Sequence, residues 1–128
     1  MEPKSILENL LHTLVSHNCF ALELVDAGWV FKVSKGKRGY CYGTKKVITI
    51  PKHALQSLHP GYDQYYLAHE MAHAKAGKVA AHGPEFMEWL KYLCPPEFVH
   101  YETGYKPRNA GAAGIMGKSN KESERRNA

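Results

Sequence analysis

Cysteine is scarce in this 128-residue chain: Cys19, Cys41 and Cys94 are the three present, and no two are close enough to form the pair that a zinc ribbon uses. So few, so widely spaced, exclude a disulfide framework; no disulfide partner is expected, and a reducing compartment fits. Long apolar runs are missing too. The N-terminal stretch "SILENLLHTLVSHN" is interrupted by Glu8, Asn9 and His12, so neither a signal-peptide core nor a membrane span is read there. The expected location is the cytoplasm, or the nucleus in a host that has one, with no membrane partner. Acidic residues are absent between Asp26 and Asp63, while Lys32, Lys35, Lys37, Arg38, Lys45, Lys46 and Lys52 all fall there. The formal charge of +5 therefore gathers on one stretch, which is the footprint expected of a surface that meets polyanions. No internal repeat is visible.

What is present belongs to a folded protein. A hydrophobic content of 44% with 23% charged residues supports one compact domain, able to bury roughly two-thirds of the surface of its unfolded chain. In the N-terminal stretch, Ile6, Leu7, Leu10, Leu11, Leu14 and Val15 recur at three- and four-residue intervals, one face of an amphipathic helix that Asn18 ends. The runs "CFALEL", "GWVFKVS", "RGYCYG" and "KVITIP", punctuated by glycines, read as three or four short antiparallel strands. "PKHALQSLHPGY" reads as a turn or short helical piece. A helix then follows from an Asp63 N-cap to Gly77, and another from Pro84 to the stop at Pro95 and Pro96, with Phe86, Trp89, Leu90 and Leu93 on its buried face. "FVHYETGY" reads as a strand or extended segment. The expected fold class is α+β: residues 1–106 form the domain and residues 107–128, rich in glycine, alanine, serine and charge, a disordered basic tail.

The segment "LAHEMAHAKAGKVAAHGPEF", residues 67–86, carries the chemistry. His69 and His73 are four apart, so a helix stacks them one turn above the other on one face, where two imidazoles can hold one cation. Glu70 sits just around the helix, and H-E-x-x-H is the arrangement in which two histidines ligate zinc and the glutamate takes a proton from water. A three-position pattern arises by chance on the order of once in a hundred chains of this length. Its context adds weight, because Leu67, Ala68, Met71 and Ala72 flank the histidines with apolar groups. Catalytic zinc needs a third protein ligand. His82 is the first candidate, returned beneath the pair by the "KVAA" turn after Gly77; Glu85, Glu88, Glu97 and Glu102 are carboxylate alternatives. The metzincin pattern fails, since Ala76 and Val79 stand where its glycine and third histidine belong.

"HEMAHAKAGKVAAHGPEF" followed by "MEWL" resembles the active-site segment of SprT-like (Spartan-related) zinc metalloproteases, in which H-E-x-x-H is followed after a variable loop by H-G-x-x-F. The matching residues are His69, Glu70, His73, His82, Gly83 and Phe86, and upstream "GYCYGTKKVITIPKHAL" is similar to the family's glycine and cysteine before a short strand and small helix. The resemblance covers roughly residues 20 to 95 and is strong from 67 to 90. The cysteine-rich ribbon of several bacterial members has no counterpart in these residues. The resemblance implies a small zincin-like metalloprotease core, one Zn2+ held by His69, His73 and His82, and Glu70 as general base for peptide hydrolysis. It also implies protein substrates bound or crosslinked to DNA.

Apart from the family, the basic stretch suits phosphate contact, with Lys35, Lys37, Arg38, Lys45 and Lys46 as candidate nucleic-acid ligands and neighbouring rings to stack on unpaired bases, and it equally suits a solvated lysine surface that keeps the domain soluble; the resemblance tips the expectation towards single-stranded or damaged DNA as partner. Tyr40, Tyr42, Tyr66, His100 and Tyr101 are candidates to stabilise an oxyanion. Two other classes compete with a peptidase: a zinc-stabilised, non-catalytic DNA- or protein-binding domain, and a zinc hydrolase acting on a non-peptide substrate.

Overall fold

The computed structural model describes residues 2–77 and 82–103. The turn expected at 78–81, the end of the "FVHYETGY" segment and the tail expected to be disordered lie outside them. Among the described residues the fold is mixed α+β, with six α-helices and a three-stranded sheet, and no helix is long and apolar enough to cross a membrane.

Helix α1 (Pro3–His17) starts on a proline, whose fixed φ suits a first turn, and its apolar stripe turns Leu7 fully inward. Asn18 both ends α1 and starts another helix. Its side-chain oxygen accepts the backbone N–H groups of Phe20 (3.0 Å) and Ala21 (3.1 Å), capping α2 (Cys19–Asp26). "CFALEL" is therefore helix where a strand was expected. Alanine, leucine and glutamate are good helix formers, the cap satisfies the first free donors, and Ala21 and Leu24, three apart, are the residues buried.

The sheet also differs from the expected antiparallel arrangement. Strand β1 (Val30–Ser34) runs parallel to β3 (Val47–Pro51), from Val30↔Val47 to Ser34↔Pro51, and β2 (Tyr40–Tyr42) pairs antiparallel on the other side of β3. The order β1-β3-β2 puts the last strand in the centre. The reason is burial: β3 supplies Ile48 and Ile50, both fully buried, whereas β1 and β2 carry Lys32 and two half-exposed tyrosines suited to edges.

After the short α3 (Lys52–Leu55), helix α4 (Tyr62–Ala76) runs to Gly77, whose φ of +88° ends it. Its N-cap is Gly61, not Asp63, which lies within the first turn. Gly61 is required there twice over: its φ is +75°, and a Cβ would run into the ring of Phe98. Helix α5 (Pro84–Leu93) packs along α4, burying Phe86, Leu90 and Leu93. With Leu67, Ala68, Met71 and Ala72 from α4 and Ile48 and Ile50 from β3, these side chains form the core.

The C-terminal segment is not extended as expected. Pro96–Phe98 forms a 3-10 turn and His100–Thr103 a last short helix, α6. Two prolines open the turn, and Phe98 finds its packing partner in the bare backbone of Gly61. The segment is thereby folded back against the start of α4.

Candidate metal centre

The sequence spacing places His69 and His73 on one face of α4, and His82 arrives just before Gly83, the N-cap of α5. The three imidazole rings form a near-equilateral triangle, every pair of ring centres lying 4.9 Å apart. Phe86, fully buried, supports all three, with its ring 5.0, 4.6 and 4.7 Å from His69, His73 and His82. One ring nitrogen from each histidine lies within 4.8 Å of the other two, and Nε2 of His73 faces Nε2 of His82 at 3.1 Å. Tetrahedral ligands at a Zn–N distance of about 2.0–2.1 Å stand roughly 3.3 Å apart, so a single ion could bridge nitrogens so placed. The His82 side chain is 53% exposed, which leaves one side of the triangle open to an incoming molecule.

Glu70 lies inside this arrangement at 6% exposure, and among the described residues no donor is within hydrogen-bond reach of its carboxylate. Burial raises its pKa, against the pull of His69 and His82 and with the help of Glu102. The carboxylate in turn helps to raise the Cys41 thiol to about 11, although burial is the larger cause. His73 is lowered to about 4, first by burial and then by the neighbouring imidazoles. Burial would lower His69 as well, but the hydrogen bond and charge of Glu102 outweigh it.

Two more residues complete the site: Glu102, which the sequence offered only as one of four alternative metal ligands, and Tyr65, which it did not offer. Glu102 on α6 places Oε1 2.8 Å from His69 Nδ1 and Oε2 3.3 Å from His82 Nδ1. Tyr65, which was not among the candidate tyrosines, donates its hydroxyl to the same Oε1 at 2.6 Å. Tyr65 has a visible signal in retrospect: it precedes His69 by four residues and so shares its helix face. Glu102 has none, because it is separated from His69 by 33 positions. The other carboxylates considered as ligands, Glu85, Glu88 and Glu97, are exposed on α5 and the 3-10 turn.

Of the candidate oxyanion groups, Tyr66 is nearest, its ring centre 6.4 Å from that of His69, and its hydroxyl accepts the Gly39 N–H at 2.9 Å. Tyr101 donates to the Pro60 carbonyl at 3.0 Å, and His100 is bonded through Nδ1 to the Glu97 carbonyl oxygen at 2.8 Å. Tyr40 and Tyr42 stand on the outer edge strand, with ring centres 5.6 Å apart.

The candidate nucleic-acid ligands divide. Lys35, Lys37 and Arg38 line a shallow groove of about 410 Å³ with Tyr40 and Tyr42. Lys45 and Lys46 do not line it; they sit in the turn before β3, where the Lys46 ammonium donates to the Ala27 carbonyl at 2.9 Å. Comparisons with protein-family models, with curated proteins and with solved structures found no match, so the likeness to SprT-like proteases rests on the motif residues alone.

Proposed function

We propose that this chain is a zinc-dependent peptidase in which His69, His73 and His82 hold one Zn2+ and Glu70 is the general base. The observation that carries the reading is the state of Glu70. A buried carboxylate that meets no donor among the described residues costs stability, and a purely structural metal site has no use for one. A site that must take a proton from water does, and burial raises this carboxyl above its ordinary range, which makes it a stronger base. A bound zinc ion supplies a Lewis acid that lowers the pKa of water to about 7 and polarises a carbonyl.

Glu70 accepts the proton of the water that attacks the peptide carbonyl. As the C–O bond forms and the C–N bond breaks, it returns that proton to the leaving amine. The exposed edge of His82 is the side from which a polypeptide reaches this centre. The basic groove along Lys35, Lys37 and Arg38 supports proteins carried on single-stranded or damaged DNA as substrates, in keeping with the resemblance to SprT-like enzymes.

The test is digestion of casein or histone, with and without single-stranded DNA, alongside zinc content. Glu70→Gln is expected to keep one zinc per chain and to lose activity about 10²- to 10⁴-fold, while His73→Ala loses the metal. A non-catalytic binding domain predicts no turnover in the wild type. A hydrolase of other substrates predicts zinc and a Glu70 requirement without proteolysis.

A further inference from the structure

The side chain of Glu102 is 12% exposed, and both of its carboxylate oxygens are used. Tyr65 Oη–H donates to Oε1 at 2.6 Å, His69 Nδ1 lies 2.8 Å from the same oxygen, and His82 Nδ1 lies 3.3 Å from Oε2. An ionised carboxylate only accepts, so the proton on each of these two histidines sits on Nδ1, and each Nε2 keeps its lone pair for the centre of the triangle.

The placement of Glu102 is itself well supported. Phe98 packs on Gly61, the Tyr101 hydroxyl donates to the Pro60 carbonyl at 3.0 Å, and the Tyr101 ring lies 5.2 Å from Tyr62 and 5.6 Å from Tyr65. These contacts fix α6 against the start of α4, so that Glu102 reaches one histidine on α4 and one just before α5. Among the described residues no carboxylate bonds to His73, whose ring is placed by α4 and by packing on Phe86.

We propose that Glu102, held by Tyr65, is the positioning residue of the metal site: it fixes the tautomer and orientation of both His69 and His82, so that helix α6 closes the ligand triangle. This rests on the zinc-peptidase reading and extends it, because the ligand set is then incomplete without the segment from Pro96 to Thr103. A carboxylate behind two of three ligands also offsets part of the charge of a dication, which favours tight binding.

The experiment measures zinc affinity by competition with a chromophoric chelator, the visible spectrum of the Co2+-loaded protein, and the melting temperature of the metal-free protein. It compares wild type with Glu102→Gln, Glu102→Ala, Glu102→Asp and Tyr65→Phe. Glu102→Gln has the same shape but presents an amide donor to one of the two histidines. It is expected to weaken zinc binding by about 10- to 100-fold and alter the Co2+ spectrum while the metal-free protein still melts cooperatively. Tyr65→Phe weakens binding less, and Glu102→Asp recovers part of the loss. Should the alanine variant fail to fold, Glu102→Gln and Tyr65→Phe still decide. Unchanged zinc affinity and Co2+ spectrum in Glu102→Gln overturn the positioning role alone, as does a loss of affinity that only mirrors loss of folded metal-free protein. A wild-type chain that binds no stoichiometric zinc overturns the metal reading and the positioning role together.

Discussion

The histidine triangle and the basic groove are both rich in charge-bearing residues, but they are built in opposite ways. Around the triangle, α4, α5 and α6 each contribute a group, and Glu102 is tied to Tyr65, His69 and His82 at once. Along the groove, Lys35, Lys37 and Arg38 are exposed, and none makes an ion pair among the described residues. Groups held by several elements in a dry setting have little freedom, so a small chemical change there has a large effect. Charges standing in water are nearly independent of one another, and each contributes a small, additive, salt-dependent amount.

The strongest way to probe that contrast is to remove the support beneath the triangle. Phe86 is fully buried and its ring touches all three histidines as well as filling the space between α4 and α5. Phe86→Ala is expected to cost about 3–5 kcal/mol in urea unfolding, the range for emptying an aromatic site in a core. It should also weaken zinc binding in whatever fraction remains folded. A loss below about 1 kcal/mol would mean that the rings are held by something other than packing.

A step smaller is the cap that joins the first two helices. Asn18 accepts two backbone donors at the start of α2 and donates its amide to the Tyr92 carbonyl at 2.9 Å, linking α2 to the end of α5. Asn18→Ala is expected to lower stability by about 1 kcal/mol from the lost cap. Zinc affinity should be unchanged, because none of these bonds reaches the histidines. Equal loss of stability and zinc affinity would show that the site is sensitive to packing everywhere, and would erase the distinction.

What could be read in the sequence follows the same divide between local and tertiary causes. The end of α4 at Gly77 and the start of α5 at Pro84 are legible because good helix formers lie between identifiable stops, whereas the start of α4 is read two residues late, at Asp63, because the left-handed Gly61 cap depends on Phe98 packing against it. The pairing of His69 with His73 is legible because a helix repeat fixes it. "CFALEL" was misleading because a short apolar run has no decisive period, and Asn18 could be read as an ending without being read as a beginning. The parallel pairing of β1 with β3 depends on which strand the core claims, and a pattern along one strand carries no information on its neighbour. Glu102 was visible as one carboxylate among several. Its role depends on Phe98 meeting Gly61 and Tyr101 meeting Pro60, contacts made only when the chain has folded back.

The smallest effect on stability, and the sharpest test of the other region, comes from removing charge along the groove. Lys35→Gln, Lys37→Gln and Arg38→Gln combined should leave the unfolding free energy within about 0.5 kcal/mol of wild type, as exposed substitutions usually do. If the groove tracks a single strand, each lysine or arginine that neutralises a phosphate contributes about 0.7 to the slope of log affinity against log salt. Removing three should then flatten the slope by about 2 for an oligonucleotide without secondary structure. Lys45→Gln, in the turn that does not line the groove, should leave the slope unaltered. Tyr40→Ala separates stacking from charge: it should weaken binding by about 1–3 kcal/mol with no change of slope, since a ring over a base releases no counterion. A slope that falls equally for the triple variant and for Lys45→Gln would mean that the cations attract nucleic acid only as a diffuse positive field. The groove would then have no role in setting the path of the strand.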